Sequence, residues 1–509
     1  RTLENRGRSF RVRRDGDAFI VTMQDPAWDH GRGGKPGAAP VVDRRVVMVT
    51  GSHHMQVYWV ESDTPEREHF IFPFVYLLGE DQRWVPREDA FVVPPDAGFM
   101  HAMWNDNCIR CHATGAQPRR DPLTGRFDTR VAELGIACEA CHGPGEAHVR
   151  FHEDPANADA PAHAITHPLN LPIVEQAQVC GQCHSISGPP TQASDTAWFE
   201  RGYTYRAGDD LWATRGISRH PAKARRPTPR TPEKNFDMPA EQLDIFFWRD
   251  GMVRVSGREY IALLESACYQ RGEMTCLSCH SLHDSDPIDQ LARGREGDGA
   301  CVDCHADLAE VVPAHTHHPL DSSGSRCLNC HRPHTTYGLY SAIRSHELSS
   351  PRTSESLPPI GRPNACNLCH LDRTLGWTEE HLVRWYDHEP TRVPAPHDRL
   401  ASGLLWLLRG DAGQRALTAW HFGWPEAGAA SGRAWLAPPL SNAAASDPYA
   451  AVRRIAARSL RMLPGFADWS LDFLAPQAER TASGKAAYQR WQAQPPRPPA
   501  EARARTGYQ

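Results

Sequence analysis

Lysine is nearly absent from this chain. Only Lys35, Lys223, Lys234 and Lys485 occur, so all but four of the 56 basic residues are arginine. GC-rich coding accounts for such a bias, and arginine's planar fork also pairs well with carboxylates. Long apolar runs are missing too. The longest, FIFPFVYLLG at 70–79, is too short to span a bilayer as a helix and contains Pro73. There is no basic run interleaved with aromatics, and the formal charge is −5, which excludes nucleic acid as a partner. The chain opens at Arg1 without an export signal, and is expected to be a processed chain or fragment of an exported, periplasmic or extracellular protein. Mean hydropathy is −0.55 with 40% hydrophobic residues, polar for 509 residues. Either the surface is large, or something other than side chains fills part of the core.

Cysteine, by contrast, is plentiful and patterned. The stretch GEMTCLSCHSLH (272–283) sets Cys276, Cys279 and His280 in one cluster, with His283 three residues on. Taken alone it fits half a zinc site, a redox disulfide or a covalent haem seat. Fourteen of the fifteen cysteines repeat the same C-x-x-C-H arrangement. The segments pair Cys108 and Cys111 with His112, Cys138 and Cys141 with His142, and Cys180 and Cys183 with His184. Then follow Cys276, Cys279 and His280; Cys301, Cys304 and His305; Cys327, Cys330 and His331; and Cys366, Cys369 and His370. Chance would give such a pattern on the order of 0.02 times at this composition. Zinc sites use C-x-x-C pairs without demanding the adjacent histidine every time, and disulfides need no histidine at all. Repetition therefore selects c-type haem: two thiols for thioether bonds, and a neighbouring imidazole as the proximal iron ligand.

Seven covalent haems are thus expected between residues 108 and 370. That stretch is too short for separate pockets, so the haems must pack against one another and replace apolar core. Packing so close lets electrons pass between them. Arginine would suit the haem propionates. Saturated irons need a sixth ligand, and twenty histidines lie outside the motifs. The distal candidates are His53, His54, His101, His148, His283, His315, His318, His334 and His346. His148 follows a Gly-Pro-Gly turn, His283 and His334 sit three residues past a proximal histidine, and His315 and His318 belong to an HTHH run. Methionine, with nine residues, has no obvious axial placement. The odd cysteine, Cys268, reads first as a small buried residue or unpaired thiol, with an axial or catalytic role as the alternative.

The fold class expected is α+β with low regular secondary structure. Residues 1–100 read as a β-rich N-terminal cap: Phe10 and Val12 alternate before an Asp15-Gly16 turn, then Phe19, Val21 and Met23 alternate after it. RRVVMVTG, MQVYWVES and FVYLLGEDQRWVPRE add further strands. Residues 101–370 form the haem region, with an insertion at 185–275 because 96 residues separate Cys180 from Cys276. Residues 371–490 read as α-helical and repeat-like. In DPYAAVRRIAARSLRMLPG, Asp447 suits an N-cap and Val452, Ile455, Ala456, Leu460 and Leu463 form one apolar stripe. The tail 491–509 is expected to be extended or disordered.

CEACHGPGEAH, ACYQRGEMTCLSCHSLH, CLNCH and ACNLCH, in this order, resemble the multihaem c-type cytochromes of the cytochrome c554 type. Within these the chain is similar to the subgroup carrying C-terminal HEAT-like or tetratricopeptide-like helices, over roughly 45–463; the helical end here is short, with one clear repeat. The resemblance implies export, bis-histidine haems in stacked and perpendicular pairs, and redox activity. It leaves three functions open. One is a carrier of electrons among redox partner proteins. Another is an oxidoreductase with one open-site haem acting on a small nitrogen or sulfur compound. The third is a subunit of a polymeric filament built from copies of itself.

Overall fold

The computed structural model describes residues 1–494 except 30–38, 63–66, 80–81, 94, 97–101, 162, 189–190, 225–227, 233–235, 337 and 339. His101 and the tail beyond 494 therefore lie outside the described residues. The fold is mixed α+β, with 41% helix and 16% strand. That is an ordinary share for a globular protein, not the sparse regular structure expected. One reason is local: the haem motifs themselves coil into helical turns.

The chain divides into two compact units. The first comprises residues 1–88, 98–239 and 257–291; the second comprises 89–97, 240–256 and 292–509. The first four C-x-x-C-H motifs lie in the first unit and the last three in the second.

The first unit begins with a seven-stranded antiparallel meander in sequence order: β1 (Thr2–Asn5), β2 (Arg8–Asp15), β3 (Ala18–Gln24), β4 (Val41–Thr50), β5 (Met55–Glu61), β6 (His69–Leu77) and β7 (Trp84–Pro86). Alternation along the strands sends Phe10, Val21 and Met23 into one core with Phe70, Phe72 and Phe74. The rings of Phe10 and Phe74 meet edge to face at 5.4 Å. The β2–β3 turn falls at Gly16-Asp17, one residue later than expected, because Asp15 still pairs with Ala18. Gly16 takes φ +58 there, a conformation open to glycine. Pro73 sits inside β6, where the pairing with β5 shifts between Val57 and Trp59. The irregularity spares a ladder bond that proline cannot donate.

The opposite face of the sheet carries Trp59 and Ile71, which pack with Trp104, Ile109 and Trp198. Ile109 lies between the two cysteines of the first motif and is fully buried. The sheet thus seats that motif.

The second unit ends in helices Leu375–Tyr386, Ser402–Arg409, Ala412–Gly423, Pro425–Ser431, Ala437–Ser446, Ala450–Arg461 and Gln477–Gln492. Asp411 and Gln414 form a capping box on the third of these. Small residues let the helices approach closely: a Cβ on Gly423 would lie 2.6 Å from the Ser459 hydroxyl. The expected stripe is buried, with Val452, Ile455, Ala456, Leu460 and Leu463 all in the core. The helix, however, starts at Ala450, so Asp447 stands before the cap. It accepts the Tyr449 N–H at 2.9 Å and a two-point contact from Arg415, at 2.6 and 3.2 Å. Among the described residues no helix is long and apolar enough to cross a membrane.

Candidate functional site

Each C-x-x-C-H motif forms a turn of helix. CEACH and CLNCH are helical throughout, Cys138–His142 and Cys327–His331. In the third, fourth, fifth and seventh motifs the histidine N–H donates to the first cysteine's carbonyl, at 3.0, 3.0, 3.0 and 2.8 Å. In the first motif a wide turn, Trp104–Cys108, leads into Ile109–His112. One helical turn brings residues i, i+3 and i+4 to the same side. Two thiols and an imidazole are then presented together, the donor set that covalent haem attachment needs.

Several of the histidines are held in one tautomer. A carbonyl only accepts hydrogen bonds, so an imidazole nitrogen facing one must carry the proton. His142 Nδ1 faces the Thr166 carbonyl at 2.8 Å, and His331 Nδ1 faces the Ser349 carbonyl at 3.1 Å. His318 Nδ1 faces the Thr316 carbonyl at 2.6 Å. In all three, Nε2 keeps its lone pair for a metal. His184 differs: its Nδ1 bonds the Glu259 carboxylate at 2.6 Å.

The distal candidates divide into those that meet a proximal histidine and those that do not. His283 lies 6.0 Å from His142 between ring centroids, with planes 6° apart. His315 lies 6.2 Å from His331 at 12°, and His318 lies 6.1 Å from His370 at 29°. The HTHH run thus places one ring beside each of two motif histidines. His317 stands between them at φ +56 with its ring on Trp385 at 4.3 Å, and this left-handed residue turns its neighbours apart. Gly324 leaves room for the His318 ring, which a Cβ would meet at 2.2 Å.

The others are placed differently. His334 Nδ1 lies 3.2 Å from Nε2 of His421, beside Trp420 and Trp424. His421 Nδ1 faces the Leu417 carbonyl, so its Nε2 is the acceptor and His334 the donor. His148 Nδ1 bonds the His163 carbonyl at 2.9 Å, and its ring tilts against His152. His53 and His54 occupy the exposed loop between β4 and β5, where His53 bonds Ser52. His346 follows the strand Ala342–Arg344 and is half-buried. Cys268 is the second residue of the helix Ala267–Arg271 and is half-buried.

Glu259 and His421 were not foreseen from the sequence. Glu259 lies far along the chain from His184, and His421 sits in a helix without any haem motif. The only signal for His421 was its place one helical turn after Leu417 in an apolar stretch.

Cysteines of different motifs also adjoin one another. In the first unit Cys111 approaches the Cys183 carbonyl at 3.8 Å, and the thiols of Cys180 and Cys276 lie within hydrogen-bonding reach. In the second unit Cys301 and Cys327 do the same. Arg215 lies over the Tyr203 ring near Cys111, and Arg344 reaches Asn329 inside the sixth motif.

A protein that presents repeated thiol pairs with helical proximal histidines is built for covalent haem: it is a multihaem c-type cytochrome. Known proteins agree. Residues 96–143 match the family described as cytochrome c554 and c-prime, and residues 269–310 match the doubled CXXCH motif. The multiheme cytochrome MtrA of Shewanella baltica (strain OS185) is 24% identical over 106 residues, 21% of this chain. The match spans 26% of that protein, about a quarter of its length. No solved structure matches.

Proposed function

We propose that the chain is a heptahaem conduit, passing electrons through closely packed, mostly bis-histidine haems in the periplasm or outside the cell. The imidazole pairs carry this reading. A metal-bound imidazole nitrogen lies about 2.0 Å from its metal. The centroid of its five-membered ring lies roughly 1.1 Å behind that nitrogen, given ring bonds of about 1.33–1.4 Å. Two imidazoles on opposite sides of one iron therefore have centroids about 6.2 Å apart. The three pairs at 6.0, 6.2 and 6.1 Å meet that requirement. In this reading His142 and His283 hold the second haem, His331 and His315 the sixth, and His370 and His318 the seventh.

Haem supplies a reversible one-electron couple to such a site. The chain's own residues attach it, fix its axial imidazoles through the Thr166, Ser349 and Thr316 carbonyls, and bring one motif against the next. The adjoining cysteines support a path through motifs one, three and four in the first unit, and through five and six in the second. Buried Arg215 and half-buried Arg344 suit the propionates.

The test is a haem count by mass together with electron paramagnetic resonance of the oxidised full-length protein. Seven haems per chain, all low-spin, are expected. A high-spin component that binds carbon monoxide would overturn the conduit reading in favour of an oxidoreductase with one open-site haem.

A further inference from the structure

Among the proximal histidines with a described Nδ1 partner, one faces a charge. His142 and His331 give their Nδ1 protons to neutral carbonyls, at 2.8 and 3.1 Å. His184 gives its proton to the Glu259 carboxylate at 2.6 Å. A charge-assisted bond of this kind is shorter and about twice as strong as a neutral one.

The contact is built into the fold rather than left to a mobile side chain. Glu259 opens the helix Glu259–Leu264, and its other oxygen accepts the Gly257 N–H at 2.7 Å. The next residue, Tyr260, donates its N–H to the His184 carbonyl at 3.1 Å. Gly181, inside the third motif, makes room for the Tyr260 ring, which a Cβ there would meet at 2.8 Å. The Tyr260 hydroxyl in turn takes the Trp212 indole N–H at 3.1 Å. Motif and helix are thus locked together at both the backbone and the ring, and the carboxylate has one place to go.

We infer that Glu259 is a positioning residue that makes His184 the most electron-donating of these proximal ligands, and so gives the third haem a lower reduction potential than the second and sixth. The inference rests on the reading of His184 as an iron ligand. A carboxylate that draws the Nδ1 proton toward itself raises electron density on Nε2. Ferric iron carries one more positive charge than ferrous iron and gains more from that density. Reduction by one electron, supplied in a titration by dithionite, removes the advantage. The third motif is also the one whose cysteines adjoin those of both the first and the fourth. A low potential there places an energetic step between the first and fourth haems of the proposed path.

The test is spectroelectrochemical titration of the fully loaded protein and of Glu259→Gln. Loss of one titrating component in a Cys180→Ala/Cys183→Ala variant assigns that component to the third haem. In Glu259→Gln the same component is expected to move toward the reduced form by at least tenfold at fixed potential, about 59 mV for one electron. The remaining components should stay in place. Glu259→Asp keeps the charge at a longer reach, so it should move the component less. If the Gln variant loads less haem, the Asp variant decides by itself: a smaller shift in the same direction supports the inference, and no shift overturns it. Curves that superimpose on the parent overturn the inference. A chain that carries no redox-active haem refutes the functional reading instead.

Discussion

Replacing His283 by alanine is the sharpest test of how the imidazoles are used. His142 has two ring neighbours at comparable range: His283 at 6.0 Å with planes 6° apart, and His167 at 6.4 Å with planes 78° apart. Distance alone does not separate them, since both approach the roughly 6.2 Å that two imidazoles sharing an iron require. Hydrogen bonding does. The Nδ1 edge of His142 is committed to the Thr166 carbonyl, and His167 is the next residue along the chain from that carbonyl. In the proposed ligation iron takes the Nε2 edge, which leaves His283 as the partner. His283→Ala should convert one haem from low-spin to high-spin and raise carbon monoxide binding from none to about one per chain; covalent attachment through Cys138 and Cys141 should persist. His167→Ala should leave the spectrum unchanged. Electron paramagnetic resonance of the ferric protein and a carbon monoxide titration of the ferrous protein read both outcomes. A fully low-spin His283→Ala variant, or a high-spin signal in His167→Ala, would refute the reasoning.

Three other outcomes follow from the packing. Gly181→Ala forces a methyl against the Tyr260 ring, which its bond to Trp212 prevents from retreating. Overpacking costs about 1–3 kcal/mol and alanine's better helix propensity returns up to about 1, so the urea midpoint should fall; an equal or higher midpoint would show that the contact relaxes freely. Asp447→Ala removes the two-point partner of Arg415 where both side chains are largely buried, and should cost about 3–5 kcal/mol in urea unfolding. A loss under about 1 kcal/mol, the size of an exposed pair, would contradict this. Burial holds the His69 imidazole below its usual pKa of 6.5, against a smaller opposing pull from Glu61, so the ring is neutral in the folded protein at pH 7. Its contribution is fully present above the unfolded value and is lost as pH falls below it, by at most about 1.4 kcal/mol per pH unit. His69→Gln should therefore lose less melting temperature between pH 7 and 5 than the parent, and equal losses would sink the assignment.

Much of the chemistry was legible because it is local. A thioether seat needs two thiols and an imidazole within five residues, and one helical turn forms that set wherever the motif occurs. The strands of the first hundred residues were legible for the same reason: Phe10, Val21 and Met23 alternate at the strand period and bury one face. The stripe from Val452 to Leu463 reads at the helical period. Boundaries were less so. Asp447 reads as a cap from composition, but its commitment to Arg415 across the fold places it before the helix.

Tertiary structure alone decided which imidazole meets which. By sequence, His315 and His318 are equivalent candidates with no partner assigned. Packing turns His315 toward His331 and His318 toward His370, with His317 held on Trp385 between them. No spacing rule joins His283 to His142, or Glu259 to His184, because each contact closes a long loop whose ends are set by the elements between them. Nor does the spacing of the motifs reveal that four lie in one compact unit and three in another: the widest interval follows the third motif, yet the fourth belongs with the first three. The sequence by itself determined the chemistry, c-type haem, and where along the chain the thiol pairs and histidines that suit it recur. The fold determined which imidazoles lie ring to ring and which groups face their Nδ1 atoms, because those partners come from whatever backbone the packing brings within reach.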